Sequence, residues 1–316
     1  EILAMVGSVD YNNDAIDGRV NVTIRPRQPG STIKAVTYAS AMERGMGTGD
    51  VIWDTRVLIP QPGQAPYEPR NYDRNYHGPM TMRRALANSY NIPAVQTVRS
   101  VGVDYFLAFS ERLGVQTFGR DASLYGPAIT LGGAEMTLLE LTRAYTVFAN
   151  EGSLVNSTSI LCVLDSQNAV IYEYENGCPA KGIHNGATIQ RTGLGMQVLD
   201  PRIAFMITSI LGDNGARTPA MGSNSPLYTP NIASSVKTGT TDDFKDNWTV
   251  GYTRNVAIGV WVGNNNGDPM QGVSGLAGAA PIWNTVINLI YNSPTYFDEF
   301  LVDGQHVSDT VNPPSG

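Results

Sequence analysis

Histidine, cysteine and charge are scarce in this 316-residue chain, and it contains no long apolar run. Its three histidines, His77, His184 and His306, lie far apart without Cys or carboxylate neighbours at ligand spacing, so no metal centre is expected. No stretch of about 18 apolar residues occurs, so this sequence is not expected to supply a membrane span. Charged residues make up 16% and the formal net charge is −7, a balance that argues against nucleic acid as a partner. Glycine and proline, at 33 and 19, are plentiful instead. Such a composition speaks against a coiled coil and suits a loop-rich globular protein, one large domain or two small ones.

The two cysteines, Cys162 and Cys178, flank a predicted hairpin of residues 163–165 and 170–174 turned by Ser166-Gln167-Asn168. There they could face each other and oxidise outside the cytoplasm, or equally stay free and buried; spacing does not decide. The N-x-S/T triplets at Asn21, Asn156 and Asn247 read as chance, because a sequon matters only in a host that glycosylates.

Three short elements carry the chemistry. In Arg25-Pro26-Arg27-Gln28-Pro29-Gly30-Ser31-Thr32-Ile33-Lys34, Pro29 and Gly30 break the preceding segment, and residues 32–42 read as a largely apolar helix. Ser31 sits at or just before its first turn, and Lys34, three residues on, shares its face. A serine is a weak nucleophile until a neighbour takes its proton. By itself, S-x-x-K fits an N-cap serine beside a solvated lysine better than a catalytic pair. Downstream, Ser89-Tyr90-Asn91 separates a helical pattern at 81–87 from a helix start marked by Pro93. Alone, Ser89 and Asn91 read as helix termination and capping. Lys237-Thr238-Gly239-Thr240-Thr241 then follows a strand-like apolar stretch at 232–236. In that order the trio matches the signature of penicillin-binding proteins and class A β-lactamases, with Ser-Tyr-Asn standing for the acidic-amide form.

Around the trio the chain resembles the transpeptidase domain of class A penicillin-binding proteins along nearly its whole length. Glu1-Ile2-Leu3-Ala4-Met5-Val6-Gly7 resembles the second half of the family's first hairpin, and Arg27-Gln28-Pro29-Gly30-Ser31 its approach to the nucleophile. His77-Gly78 through Arg83, then Ala85-Leu86, Ser89, Asn91 and Pro93-Ala94-Val95, follow its second block. Leu131-Gly132-Gly133-Ala134-Glu135, Leu141-Thr142-Arg143-Ala144-Tyr145 and Phe148-Ala149-Asn150 look like its helical subdomain. Asp246-Asn247-Trp248-Thr249-Val250-Gly251-Tyr252 and Ala280-Pro281-Ile282-Trp283 resemble the strand and helix after K-T-G.

The resemblance implies an α+β fold of the penicillin-binding protein and serine β-lactamase type: an antiparallel sheet flanked by helices, plus a helical subdomain. One such domain is expected over residues 1–300, with a polar tail at 301–316. Glu1 opens directly on a strand-like segment without initiator Met or signal peptide, so the chain reads as a fragment whose first strand lies upstream. The family places a membrane anchor and a glycosyltransferase domain before this one, on the extracytoplasmic face of the bacterial membrane. Strands at the N-terminus are expected to enclose a helical middle at 81–150, with strands returning at Ser235, Trp248 and 255–262 before a last helix at 279–290. That order makes the first and last pieces neighbours.

For the site, the resemblance implies Ser31 as nucleophile, Lys34 as its base, and Ser89 as a proton relay between either Lys34 or Lys237 and the leaving amine. Asn91 faces the substrate's amide backbone. Thr238 and Thr240, with the Lys237 charge, grip a terminal carboxylate, and Gly239 leaves room for an extended substrate along the strand. The backbone N–H groups of Ser31 and Thr240 form an oxyanion hole. An ordinary lysine titrates near ~10.4, so Lys34 acts as a base only if burial and the Lys237 cation depress it; a drop of roughly three pH units corresponds to about 4 kcal/mol. The implied substrate is the D-alanyl-D-alanine end of peptidoglycan stem peptides, β-lactam antibiotics acylate the same serine, and no cofactor is involved. A β-lactamase would add a water-activating Glu on a loop, whereas Glu135 and Glu140 fall in the helical subdomain. A D,D-carboxypeptidase and a non-turnover β-lactam sensor remain as alternatives.

Overall fold

The structure, a computed structural model, describes residues 1–61, 63–174, 178 and 195–293. The expected tail at 301–316, with His184 and His306, lies outside the described residues. Helix α1 (Lys34–Glu43) runs through the centre and is buried from Lys34 to Met42, which explains a sequence apolar on every side rather than along one stripe. Four short strands follow: β1 (Val51–Asp54), β2 (Ile59–Gln61), β3 (Gln64–Tyr67) and β4 (Gly78–Thr81), with β1 paired to β4 and β2 to β3. The helical part comprises α2 (Met82–Ala87), α3 (Asn91–Val101), α4 (Val103–Arg112) and α5 (Leu138–Ala149). Thr81 caps α2 by accepting from Arg84 N, and Thr137 with Glu140 forms a capping box on α5.

Beyond α5, β5 (Ser153–Leu154), β6 (Cys162–Leu164), β7 (Val170–Glu173) and β8 (Met196–Gln197) make two small ladders, β5 with β8 and β6 with β7. The predicted hairpin is therefore present, and a disulfide joins Cys162 to Cys178. Helices α6 (Pro201–Gly212) and α7 (Asn214–Met221) lead into β9 (Ser235–Thr240), β10 (Asp246–Tyr252), β11 (Ala257–Gly263) and α8 (Ala279–Asn292). The last three strands form one antiparallel sheet in the order β11-β10-β9. Side-chain alternation gives this sheet two faces. Trp248, Val250 and Tyr252 turn to the helical core around α1, whereas Val236, Ile258 and Val260 pack with Ala280, Trp283 and Ile287 of α8. The result is the expected α+β sandwich.

Three expectations shift. Residues 2–6 form no strand: Ile2 N donates to Thr158 O, and Leu3 and Val6 stay 50% and 74% exposed, so the apolar stretch has no ladder to join. The first and last parts of the chain still meet, through Arg27 Nη2 donating to Asn265 O and Asn265 Nδ2 donating to Ile16 O. The strand expected at 232–236 begins only at Ser235 and contains K-T-G itself. Residues 232–234 are turned aside because Thr229 Oγ1 pairs with both Ile232 O and Ser234 Oγ, while Ile232 enters the α8-side core. Helix α1 starts two residues later than expected because residues Gly30–Ile33 wind as a 3-10 turn. Among the described residues, no helix is long and apolar enough to cross a membrane, and no His/Cys/Asp/Glu cluster could hold a metal ion. Asn247 is fully buried in β10, out of reach of glycosylation.

Candidate active site

The turn bearing Ser31 is pressed against the end of β9. Gly30 adopts φ +56°, and a Cβ there would lie 2.7 Å from Thr240 O and 2.8 Å from Thr240 N. Gly239 faces the same turn from the strand side: a Cβ on it would meet Pro29 O at 2.3 Å and Thr32 N at 3.1 Å. The expectation that Gly239 makes room for substrate is thus corrected, since the nucleophile's own turn fills that room. Thr32 Oγ1 donates to Pro29 O at 2.6 Å and Tyr145 Oη donates to Thr32 O at 2.6 Å, so the turn is braced from both sides. Ser31 is half-buried, and among the described residues no side chain hydrogen-bonds its hydroxyl.

Lys34, on the first turn of α1, is fully buried. Its Nζ donates to Ser89 O at 2.6 Å and Asn91 Oδ1 at 2.6 Å, with Ser89 Oγ at 3.5 Å. Lys237 Nζ donates to Ser89 Oγ at 2.7 Å and to Thr238 O at 2.8 Å. The three distant segments therefore meet at Ser89, whose hydroxyl stands between two buried amines. Ser89 pays for that place with φ +60°, a conformation rare outside glycine. Its backbone is pinned by Ser89 N donating to Leu86 O and by Lys34. Next door, Asn88 clamps α7, donating to Ala216 O and accepting from Ala220 N.

Burial and the nearby Lys237 charge hold the Lys34 amine well below the usual lysine range. Burial, then the Arg217 guanidinium, bring Lys237 down to about 7. Arg217 itself is 5% exposed and is lowered to about 10 by burial, against the opposing pull of Asp213. It lines a small cavity with Ala87, Leu211, Met221, Lys237 and Thr238, and its Nε has no hydrogen-bond partner among the described residues. A buried amine this close to neutrality can accept a proton at physiological pH. Arg217 escaped the sequence reading because Asn214-Gly215-Ala216-Arg217-Thr218-Pro219 has turn-like composition and no apolar periodicity.

Strand alternation sets Lys237 and Gly239 on one face of β9 and Thr238 and Thr240 on the other. Thr240 Oγ1 accepts from Gly275 N at 2.8 Å. The Gly30 backbone, one residue before Ser31, packs on the Thr240 peptide. Asn91 Nδ2 donates to Arg70 O at 2.7 Å while its oxygen holds Lys34, leaving one N–H and one lone pair for a substrate. Glu140 is taken up by the α5 cap and accepts from Gln116 N and Thr117 N; Glu135 is exposed. Neither forms a water-activating site beside Ser31.

Residues 1–288 match the family described as penicillin binding protein transpeptidase domain. Penicillin-binding protein 1A of Neisseria flavescens is 32% identical over 286 residues, 89% of this chain and 33% of that protein. Penicillin-binding protein 1C of Escherichia coli is 29% identical over 287 residues, 90% of this chain and 32% of that protein. The chain thus spans about a third of the length of these relatives. Among solved structures, penicillin-binding protein 1A from Haemophilus influenzae superposes with a TM-score of 0.75 at 27% identity, covering 92% of this chain and 46% of that one. PonA1 from Mycobacterium tuberculosis, in complex with penicillin V, shares the fold at a TM-score of 0.71 and 18% identity, over 88% of this chain and 71% of that one. On the match across residues 1–288, the chain belongs to the penicillin-binding protein transpeptidase family.

Proposed function

We propose that this protein is a serine D,D-transpeptidase that crosslinks peptidoglycan stem peptides through an acyl-enzyme on Ser31. The observation that carries the reading is the hydrogen-bonding of Lys34. Its two 2.6 Å contacts, to Ser89 O and Asn91 Oδ1, use both N–H groups of a neutral amine and leave one lone pair. Burial beside Lys237 favours that neutral form.

In this reading Lys34 takes the Ser31 proton as Oγ attacks the penultimate D-alanine carbonyl. The N–H groups of Ser31 and Thr240 hold the oxyanion, an effect worth about 3–4 kcal/mol per donor. Ser89, linked to both lysines, hands a proton to the departing D-alanine amine. Thr238, Thr240 and the Lys237 charge hold the terminal carboxylate, and Asn91 orients the stem-peptide amide. An amine from a neighbouring stem then attacks the ester, freeing Ser31 and forming the crosslink. A β-lactam presents the same carboxylate and carbonyl, so it acylates Ser31 and persists. This chemistry belongs on the extracytoplasmic face of the bacterial membrane, and the class A resemblance with partial coverage of the relatives supports an upstream glycosyltransferase domain and membrane anchor in the full-length protein.

Incubation with a stem peptide ending in D-alanyl-D-alanine, with and without an amine acceptor, tests the reading. Acceptor-dependent crosslinked product with release of D-alanine is expected. Release by hydrolysis alone would make the protein a carboxypeptidase, and acylation without turnover would make it a sensor.

A further inference from the structure

The start of α3, which carries Asn91, is held by a residue twenty positions upstream. Tyr90, at its N-cap, makes no side-chain capping bond. Asn71 Oδ1 accepts instead from Asn91 N at 2.8 Å and from Ile92 N at 3.3 Å. Two otherwise orphan N–H groups are thereby satisfied by a side chain from the loop between β3 and β4. Asn71 is 4% exposed, and its Nδ2 donates to both oxygens of Asp54, at 2.9 and 2.7 Å, and to Asn75 O at 2.8 Å. Asp54, at the end of β1, is fully buried. Its Oδ2 also accepts from His77 N at 3.0 Å and lies 2.5 Å from His77 Nδ1. The His77 ring stacks on Tyr90 at 4.0 Å and its Nε2 lies 3.0 Å from Asp73 Oδ2.

A carboxylate only accepts, whereas a carboxamide can turn either end to a neighbour. Asp54 therefore compels Asn71 to present its NH2 inward, which aims Oδ1 at the Asn91 N–H. Asn91 Oδ1 in turn accepts from Lys34, the base of Ser31 in the reading above. We propose that Asp54 and Asn71, braced by His77, are positioning residues that orient the Ser89–Asn91 turn for acylation of Ser31. This rests on the acyl-enzyme reading above. The buried carboxylate acts through hydrogen-bond direction and touches no substrate.

The test is the acylation of the purified protein by benzylpenicillin, followed by intact mass for both rate and final stoichiometry. In Asp54→Asn the amide at 71 is free to flip and set N–H against N–H. In Asn71→Asp two carboxylates face each other. Misplacement of reacting groups by about 1 Å costs on the order of 10²-fold in rate, so each single variant is expected to acylate roughly 10- to 100-fold more slowly. Each is expected to reach the wild-type one adduct per chain. The double variant D54N/N71D restores one carboxylate and one amide across the 54–71 contact but sets the carboxylate at 71 against Asn75 O, so it should recover part of the lost rate. If a single variant does not fold, the double variant carries the test. Singles with wild-type rates would overturn the proposal, as would a fall in final stoichiometry at an unchanged rate, or a folded double variant that stays as slow as the singles. Wild-type protein that forms no adduct would overturn the acyl-enzyme reading and this inference with it.

Discussion

Lys237 offers a quantitative test of the electrostatics at the site. Its pKa falls from the ordinary 10.5 to about 7 on folding, through burial and then Arg217. Between those values the unfolded chain binds a proton that the folded chain has released. Stability must therefore rise with pH across this window, by roughly 5 kcal/mol if the whole interval could be used. Below pH 7 the contribution is flat. Tyr38 and Tyr252, whose burial pushes their hydroxyls far up, act oppositely once free tyrosine ionises near 10. Measurement is therefore confined to pH 7–9.5, where Lys237 accounts for about 3 kcal/mol. Lys237→Met removes this group and also the charge that depresses Lys34, so both effects flatten the profile. Urea unfolding of wild type and K237M at steps of pH gives the two curves. Wild type should gain about 3 kcal/mol more than the variant between pH 7 and 9.5, whatever constant offset the lost contacts to Ser89 and Thr238 introduce. Parallel curves would refute the argument that a buried, cation-flanked amine sits here.

Other consequences follow from contacts already described. Gly239→Ala would drive a Cβ to 2.3 Å from Pro29 O, a methyl against a backbone carbonyl, and should destabilise the fold by about 1–3 kcal/mol and slow acylation; an unchanged melting temperature and rate would contradict the close packing. Arg217→Met should let Lys237 keep its proton to higher pH, moving the alkaline limb of the acylation rate for a carboxylate-bearing β-lactam upward, while Arg217→Lys leaves it in place; a profile indifferent to both would remove Arg217 from the account. The Cys162–Cys178 bridge spans 16 residues, a loop whose closure is worth about 3 kcal/mol by chain entropy. Cys162→Ser should raise hydrogen exchange in β6 and β7 without changing the acylation rate, and a slowed rate would show that the hairpin matters to the site.

What the sequence made legible was local. The helical pattern at 81–87 became α2, and Pro29-Gly30 marked the break before Ser31. Val236, Ile258 and Val260 were recognisable as strand residues because one sheet face is packed under α8. The meeting of Lys34, Ser89 and Lys237 was readable only through ordered motifs, since no periodicity encodes a contact across 148 residues. What stayed hidden were groups acting through burial or direction. Asn71 and Arg217 sit in polar, turn-like segments, and Asp54 is a charged residue at a strand end, so all three look solvated until the fold encloses them. Residues 2–6 misled in the opposite sense, a continuous apolar run that forms no strand and lies largely exposed.

The central claim is that Ser31 is the acylated residue. Benzylpenicillin added to the wild-type protein, followed by peptide mass mapping, should give one adduct per chain on the peptide containing Ser31, and Ser31→Ala should give none while melting at the wild-type temperature. An adduct on another residue, or one that survives Ser31→Ala, would contradict it.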